Sequence, residues 1–531
     1  MRSKQRTEIK KVINELGRRA VELQAYRGSL IHQIRADPKY KHETLSALIT
    51  SHSTLHREIE PEKQVRELQP LTLEMIQRVL LAEASIDRIH AKSAELSALI
   101  APIHALPDEI LRIIFTEVAC APRPENNVLA HMSFANRKAA PAPIVLASVS
   151  RRWRDLVIAS PTLWSSVYLS PWQPRFWSQL AIARSEIAPL DITLDCCVDT
   201  TPDSEVLHQL LDVVLPEIDR WEGVSVVAHH CYTLAYVGRL FSDLHAPNLR
   251  SLRLALTGKG PPGDQSVIVP NLFQRGAPRL SHVYLYSVGL PWEASMLLRG
   301  LTCLDLRWMW NETKLTYHQF RAILAACPDL KELVLRGLYI DLQAAVHYEA
   351  LHVPYLRYLE ISGNNVSRMA SLLDVPRLEQ LHLANVDEAE YRELMQLFES
   401  AWGRLVYPTL RSLRLLNVRM SQPSPAFLNA IASVEELTII HSVAARFLAI
   451  LRAQQGSGEA GPSVVLPRLQ TLTLLDDVSD ETLLTIVGER AALGYPLQRV
   501  NVQAGSVNDV YRQYLQQFVR LDGVYFQDQN H

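Results

Sequence analysis

The sequence has no long apolar run, no signal-peptide core and few cysteines. No segment approaches roughly 18 uninterrupted apolar residues, so we expect no transmembrane helix. The N-terminus is polar and charged, which argues against secretion. The six cysteines are scattered and form no Cys-x-x-Cys pair, which favours free thiols in a reducing compartment. We therefore expect a cytoplasmic and/or nuclear protein.

The sequence also lacks strong net charge and catalytic motifs. A formal net charge of −2 gives no electrostatic argument for binding nucleic acid. Residues 258–260 lack the rest of a phosphate-binding loop, and no Gly-x-Ser-x-Gly or His-Glu-x-x-His motif is present. Residues 229–231 are the one cluster of metal-ligand types, but neighbours on a strand point apart and no second ligand pair follows. We expect a protein that is not an enzyme and holds no cofactor or metal.

The N-terminal hundred residues contain two heptad seams, in which apolar residues recur at alternating steps of three and four. Either the two seams pack on each other as an antiparallel hairpin, or a seam pairs with a second copy and gives a homodimer. Prolines that stop the short seams favour the hairpin. Residues 45–59 suggest a further helix between them. The seams are Ile9, Ile13, Leu16, Ala20, Leu23, Leu30, Ile34 and Met75, Val79, Ala82, Ile86, Ile89, Ser93, Leu96, Ile100.

Two apolar blocks follow at helical spacing. Residues 106–115 begin with Leu106 and Pro107, and the acidic Asp108 and Glu109 suit the positive end of a helix dipole. Residues 145–156 place apolar side chains on one face and arginines on the other. A short Pro-x-Leu-Trp turn at 161–164 comes next, for which Ser160 is a candidate N-cap.

The ordered set of these blocks resembles an F-box, the helical module that joins a protein to the Skp adaptor of a cullin-based ubiquitin ligase. The resemblance implies that Trp164 serves packing, and that Val149 and Trp153 combine adaptor contact with the core of the module. Residues 120–143 form a Pro- and Asn-rich stretch that separates the blocks more widely than usual, similar to a long-loop variant in expanded fungal F-box families. The remaining implied adaptor contacts are Leu106, Pro107, Ile110, Leu111 and Ile114.

A Pro-x-Leu-x-x-Leu-x-Leu phrase recurs from residue 247 onward. Its spacing is irregular, between 21 and 35 residues, and helix-like patterns such as 317–326 and 391–402 lie between copies. This is typical of a leucine-rich-repeat solenoid, in which stacked strands bury one leucine column. Residues 189–194 and 221–226 are expected to be strands that begin the same sheet. The first leucine-type residues are Leu249, Leu280, Leu301, Leu330, Leu356, Leu378, Leu410, Val434, Leu469 and Leu497.

Residues that alternate with the leucines should line the concave face of the solenoid. That face is rich in tyrosine and arginine, which often anchor protein interfaces, so we expect it to bind a target protein. Trp308, Met309 and Trp310 follow one strand and either cap the core or form an exposed binding knob; core packing is favoured. The candidate target-binding residues are Arg253, Tyr284, Tyr286, Arg307, Arg336, Tyr358, Glu360, His382 and Arg414.

The sequence thus predicts an α+β repeat fold with four segments. They are a helical, coiled-coil-like region at 1–101, an F-box at 102–169, a junction with atypical first repeats at 170–246, and an irregular leucine-rich-repeat α/β solenoid at 247–531. The predicted function is a substrate receptor of an SCF-type ubiquitin ligase, with a Skp-type adaptor, a cullin ligase and a target protein as partners, and neither nucleic acid nor membrane. The alternative is a ligase-independent scaffold for protein interactions.

Overall fold

The computed structural model divides into two compact units, residues 1–114 and 115–531. The structure describes residues 3–36, 70–100, 103, 106–119, 140–197, 204–258, 267–292, 296–308, 313–337, 340–341, 348–363, 366–400, 407–419, 423–441, 445–451, 464–475, 479–503 and 507–524. The helices are α1 Ser3–Ala36, α2 Pro70–Ile100, α3 Asp108–Ala119, α4 Ala142–Val149, α5 Arg151–Ile158, α6 Arg175–Ser185, α7 Ser204–Leu211, α8 Cys231–Ser242, α9 Tyr317–Ala326, α10 Val366–Leu372, α11 Glu388–Ser400, α12 Pro425–Ala430, α13 Ala445–Leu451, α14 Asp480–Ala492 and α15 Asp509–Leu515. The main strands are β1 Ser166–Leu169, β2 Leu190–Cys196, β3 Trp221–Ala228, β4 Ser251–Leu256, β5 His282–Tyr286, β6 Cys303–Arg307, β7 Glu332–Arg336, β8 Tyr358–Ser362, β9 Gln380–Val386, β10 Ser412–Val418, β11 Glu436–Ile440, β12 Thr471–Leu474, β13 Arg499–Gln503 and β14 Arg520–Val524.

The two long N-terminal helices pack on each other as the heptad seams predict. Leu30 and Ile34 of α1 form one buried cluster with Ile76 and Val79 of α2. Nearer the start of α1, Arg27 pairs with Glu83, which lies further along α2, at 2.6 Å. Residues nearer the start of α1 therefore contact residues nearer the end of α2, so the two helices are antiparallel and form a hairpin. The helix predicted at 45–59 lies outside the described residues.

Within the described residues, β1 to β14 form one 14-stranded parallel sheet in which each strand pairs with the next in the sequence. Every predicted phrase leads into a strand that begins two residues after its first leucine-type residue, as at Leu330 before β7. The predicted leucine column is confirmed, because its members are direct register partners and are buried. This is a solenoid-like α/β architecture. The column is Leu252, Val283, Leu304, Leu333, Leu359, Leu381, Leu413, Leu437 and Leu472.

The sheet begins well before residue 247. The strands predicted at 189–194 and 221–226 are β2 and β3, and β1 lies inside the segment assigned to the F-box. Ser166 of β1 and Gly223 of β3 are both register partners of Asp191 on β2, so they occupy equivalent positions. Trp164 and Trp221 each lie two residues before one of these positions. Each indole N–H donates to the carbonyl seven residues earlier, on Val157 at 2.9 Å and Val214 at 3.0 Å. The two tryptophans are therefore structurally equivalent, and the sheet runs without interruption through the predicted segment boundaries.

A left-handed residue recurs five positions after the start of successive strands. The residue directly follows its strand, except in β9 and β10, where it lies one residue before the end of the strand. Its amide can bond to the next turn; Ser287 N, for example, donates to Arg307 O at 2.8 Å. Five of the seven residues are glycine, asparagine or histidine, which are enriched at positive φ, but Ser287 and Trp308 are not, and this repeat was not predicted from the sequence. The residues are Ser287, Trp308, Gly337, Gly363, Asn385, Asn417 and His441.

Trp308 and Gly337 occupy this position on neighbouring strands. Gly337 has φ +57°, and a Cβ there would lie 2.8 Å from the Trp308 ring. The ring therefore packs on the space that glycine leaves open, as expected for a packing role. Met309 and Trp310 lie outside the described residues.

The helices that separate the strands largely follow the sequence pattern. The helix predicted at 317–326 is α9, and that predicted at 391–402 is α11, which begins earlier, at Glu388. Among the described helices, none combines the length and apolar character needed to cross a bilayer.

Candidate functional site

The first F-box-like helix, α3, begins at Asp108. Leu111 N donates to Pro107 O at 3.1 Å, so Pro107 immediately precedes the helix and does not lie within its first turn. Asp108 and Glu109 occupy the first turn, where the helix dipole stabilises negative charge. This start orients the apolar side chains that follow.

Apolar side chains on α3 divide between buried and exposed positions. Ile110 is exposed, and Ile113, one turn further on, is 59% exposed. Pro107 is exposed as well, while Leu106 and Ile114 are half-buried. Leu111 is fully buried, so the prediction that it contacts an adaptor is wrong; its side chain belongs to the core. Ile113 was missed, although it follows Ile110 at helical spacing.

The second F-box-like block forms α4 and α5. Ser150 separates them and caps α5, its hydroxyl accepting from Trp153 N at 3.2 Å. Val145 and Val149 lie one turn apart on α4 and are both 54% exposed. Because exposed valines one helical turn apart share a face, α4 presents an apolar stripe to solvent. Val149 was expected to contact the adaptor; Val145 was missed.

Trp153 serves the core. Its ring lies 4.7 Å from that of Phe115, centroid to centroid, and both side chains are buried. The adaptor-contact part of its predicted role is therefore wrong. Its indole N–H is buried and has no partner in the described part of the chain.

Trp164 closes the F-box-like segment as a packing residue. It is buried, and its N–H is satisfied by Val157 O. Ser160 precedes the turn at 161–164, but its hydroxyl donates to Leu156 O at 2.7 Å and does not cap that turn. Of the loop predicted at 120–143, only residues 140–143 are described.

The second candidate surface is the face of the sheet opposite the leucine column, which we call the polar face. The predicted target-binding residues all lie on it, because side chains alternate along a strand. Most are half-buried, since strands about 4.8 Å apart crowd long side chains together. Arg307 and Glu360 are buried, so the prediction that these two face a partner is wrong. The half-buried members are Arg253, Tyr284, Tyr286, Arg336, Tyr358, His382 and Arg414.

Arg307 and Glu360 are buried because each is neutralised. Arg307 makes a two-point ion pair with Asp305, at 2.7 Å and 2.6 Å. Arg336, directly opposite Arg307 in the register, pairs with Glu360. Two arginines lie side by side because each has its own carboxylate.

A hydrogen-bonded chain extends this cluster. The Tyr358 hydroxyl donates to Glu360 Oε2 at 2.9 Å and lies 2.9 Å from His382 Nδ1. Because the hydroxyl has one proton, His382 Nδ1–H is the donor in the second bond. Burial lowers the pKa of His382 to about 4, so the ring is neutral at physiological pH. Burial by itself raises the pKa of Glu360, but the ion pair with Arg336 and the hydrogen bond from Tyr358 act in the opposite direction, and the pKa lies below its usual value.

Among the residues that the structure describes, two arginines of the polar face have no carboxylate partner. Arg253 makes no hydrogen bond or ion pair with any described residue, and its guanidinium lies 4.8 Å over the Tyr284 ring. Arg414 lies beside His382 in the register, and its Nε is buried with no partner among the described residues. Each offers an unneutralised cation on a face that is otherwise internally paired.

None of the described cysteines, Cys196, Cys197, Cys231, Cys303 and Cys327, forms a disulfide. Burial raises the pKa of Cys196 and Cys303. In the described ranges, no group of three or more His, Cys, Asp or Glu side chains is placed to hold a metal ion.

Comparison with known proteins adds no assignment. No protein-family profile matches the chain, and no curated protein matches it.

Proposed function

We propose that this chain is the substrate-recognition subunit of an SCF-type cullin ubiquitin ligase. Its F-box-like helices would bind a Skp-type adaptor, and the polar face of its sheet would bind a target protein. The ubiquitin-charged enzyme brought by the ligase would do the chemistry. The contribution of this chain is proximity, because holding a target lysine near activated ubiquitin raises its effective concentration.

The observation that carries the adaptor role is the exposed stripe of α4. Val145 and Val149 face solvent, whereas Trp153 and Trp164, in the same block of sequence, are buried. A helix that only filled the core would not leave two valines in water one turn apart. Covering each would contribute about 1 kcal/mol, half of what full burial of a valine gives. Ile110 and Ile113 give α3 an exposed pair of the same kind.

The target-binding role depends on the composition of the polar face. Tyrosine and arginine fill six half-buried positions of this face between β4 and β10. Tyr358, Arg253 and Tyr284 are already in contact with neighbours, so they lose little conformational freedom on binding. The paired groups Asp305–Arg307 and Arg336–Glu360 give this face a fixed frame. A preformed surface of this composition suits a protein partner.

Co-elution with a Skp adaptor tests the proposal. The native chain should elute with the adaptor in size-exclusion chromatography. A Leu106→Ala/Pro107→Ala double variant with an unchanged circular dichroism spectrum should elute separately. If the native chain and the adaptor elute separately, the ligase role is wrong.

A further inference from the structure

A shallow depression, open to solvent, lies on the polar face where β4, β5 and β6 lie side by side. Leu254 and Leu285 also border it, but their side chains are buried on the leucine side of the sheet. The remaining lining residues are polar or aromatic. They are Arg253, Tyr284, Tyr286, Asp305 and Arg307.

The pocket has one uncompensated positive charge. Arg307 is neutralised by the two-point contact with Asp305. Arg253 has no hydrogen bond or ion pair with any described residue. The charges of the lining side chains therefore sum to +1, and that charge is the Arg253 guanidinium.

Arg253 is held in place without being neutralised. Its guanidinium carbon lies 4.8 Å from the centre of the Tyr284 ring. This cation–π contact holds the guanidinium over the ring and leaves its N–H donors able to bond elsewhere. The planar fork of donors on a guanidinium matches the oxygens of a carboxylate or a phosphate.

Tyr286 completes the wall on the other side. Its ring packs on the buried cluster of Cys197, Val227 and Ala255, so the ring has a fixed position. Burial raises the pKa of the Tyr286 hydroxyl, which therefore remains a protonated hydrogen-bond donor at physiological pH.

We infer that this pocket binds one anionic side chain of the target, a carboxylate or a phosphorylated residue, with the Arg253 guanidinium as its ion-pair partner. The inference rests on the proposed function, since it names the chemical group that the target would present. The acidic side chains nearby favour a single anion over a phosphate backbone. Asp305 lines the pocket, and Glu332 is exposed on β7, the next strand of the same face.

Four pools of labelled nine-residue peptides test this inference on the full chain. The pools are identical except for a fixed central residue, which is phosphoserine, glutamate, glutamine or lysine. We expect the phosphoserine pool, the glutamate pool or both to be retained about tenfold better than the glutamine pool, the size expected of a hydrogen bond to a charged group. Comparison of the first two pools distinguishes a phosphate from a carboxylate ligand.

Arg253→Gln should reduce retention of the anionic pools to that of the glutamine pool. Arg250→Gln is the matched control, since it removes the same charge from an exposed arginine that pairs with Glu222. It should keep the native preference. Arg253→Lys retains the charge but not the planar fork and should give intermediate retention. Unchanged melting temperatures would establish that the variants are folded.

Equal retention of all four pools, or a preference that Arg253→Gln leaves intact, would overturn the inference. So would binding of a labelled single-stranded RNA that requires Arg253 without any peptide preference. Adaptor co-elution, run on the same preparations, separates the two proposals. Co-elution without anion preference removes only the pocket assignment, whereas anion preference without co-elution supports the pocket and removes the ligase role.

Discussion

Arg307 and Asp305 lie two residues apart on β6 and form a two-point ion pair whose side chains are 7% and 5% exposed. The pair lies on the polar face, which the sequence predicts to bind a target protein, yet both charges are buried and already paired with each other. Its role is to hold the polar face together, and this makes its stability contribution measurable.

Replacing Arg307 by Met should lower the free energy of unfolding by about 3–5 kcal/mol, because Asp305 is left charged and buried. Urea unfolding measures this change. Arg520→Met is the matched control, since Arg520 pairs at 3.1 Å with Asp522, also two residues away on its strand, but is 67% exposed. That substitution should cost at most about 1 kcal/mol. Equal losses would show that burial does not govern the Asp305–Arg307 pair.

The neutral His382 makes stability depend on pH. Its pKa is about 4 in the folded chain, against an ordinary value of 6.5. Between these values the unfolded chain binds more protons, so acidification from pH 6.5 to 4 should lower the free energy of unfolding. The expected loss is about 1–3 kcal/mol.

His382→Gln should flatten the curve of unfolding free energy against pH over this window. His318→Gln, which removes an exposed histidine that has no ion pair among the described residues, should keep the native curve. The lowered pKa of Glu360 acts in the same direction but at lower pH, where its stabilisation is lost as pH falls through that pKa. An unchanged curve for His382→Gln would contradict the neutral assignment.

Trp164→Ala should destabilise the chain by about 3–5 kcal/mol, because it removes a buried ring and the hydrogen bond to Val157 O. Trp172→Ala, at a position 47% exposed, should cost much less. Thermal unfolding of the two variants gives the comparison. Similar melting temperatures for both would show that Trp164 is not a packing residue.

The left-handed positions give a backbone test. Asn417 has φ +51°, and its side-chain amide donates to Asn385 Oδ1 at 2.8 Å. Asn417→Val should cost about 1–3 kcal/mol, because a β-branched residue is strained at positive φ. Asn417→Gly loses the same hydrogen bond but keeps the conformation, so it should be less destabilising in urea unfolding. The reverse order would contradict the left-handed assignment.

Much of the sheet can be predicted from the sequence because the same requirement, burial of leucines, applies to every turn. Each turn must bury its own leucines, so the phrases at Leu249 through Leu497 mark strand starts and one register. The hairpin of α1 and α2 can be predicted for the same reason, since its apolar residues also recur at a regular spacing. In contrast, β14 follows no leucine phrase, and Trp164 replaces the first leucine before β1. The left-handed position is filled by residues as different as Ser287, Trp308 and Asn417, so only the structure reveals it.

The candidate sites were less predictable than the fold. Alternation assigned Arg307 and Glu360 to the correct face, but it does not predict that they are buried. Their burial depends on neutralisation, by Asp305 two residues away on the same strand and by Arg336 on the neighbouring strand. Leu111 lies on the same helix as Ile110, and only packing decides which of the two is covered.

The most direct test of the central claim is the dissociation constant of the native chain for a Skp adaptor, compared with that of Val149→Glu. A glutamate on the α4 stripe should weaken adaptor binding by at least about tenfold, since a charge would be buried without a partner. Ile187→Glu, at a position 93% exposed in another part of the chain, should bind as the native chain does. Equal affinities for native and Val149→Glu, or no measurable binding by the native chain, would contradict the account.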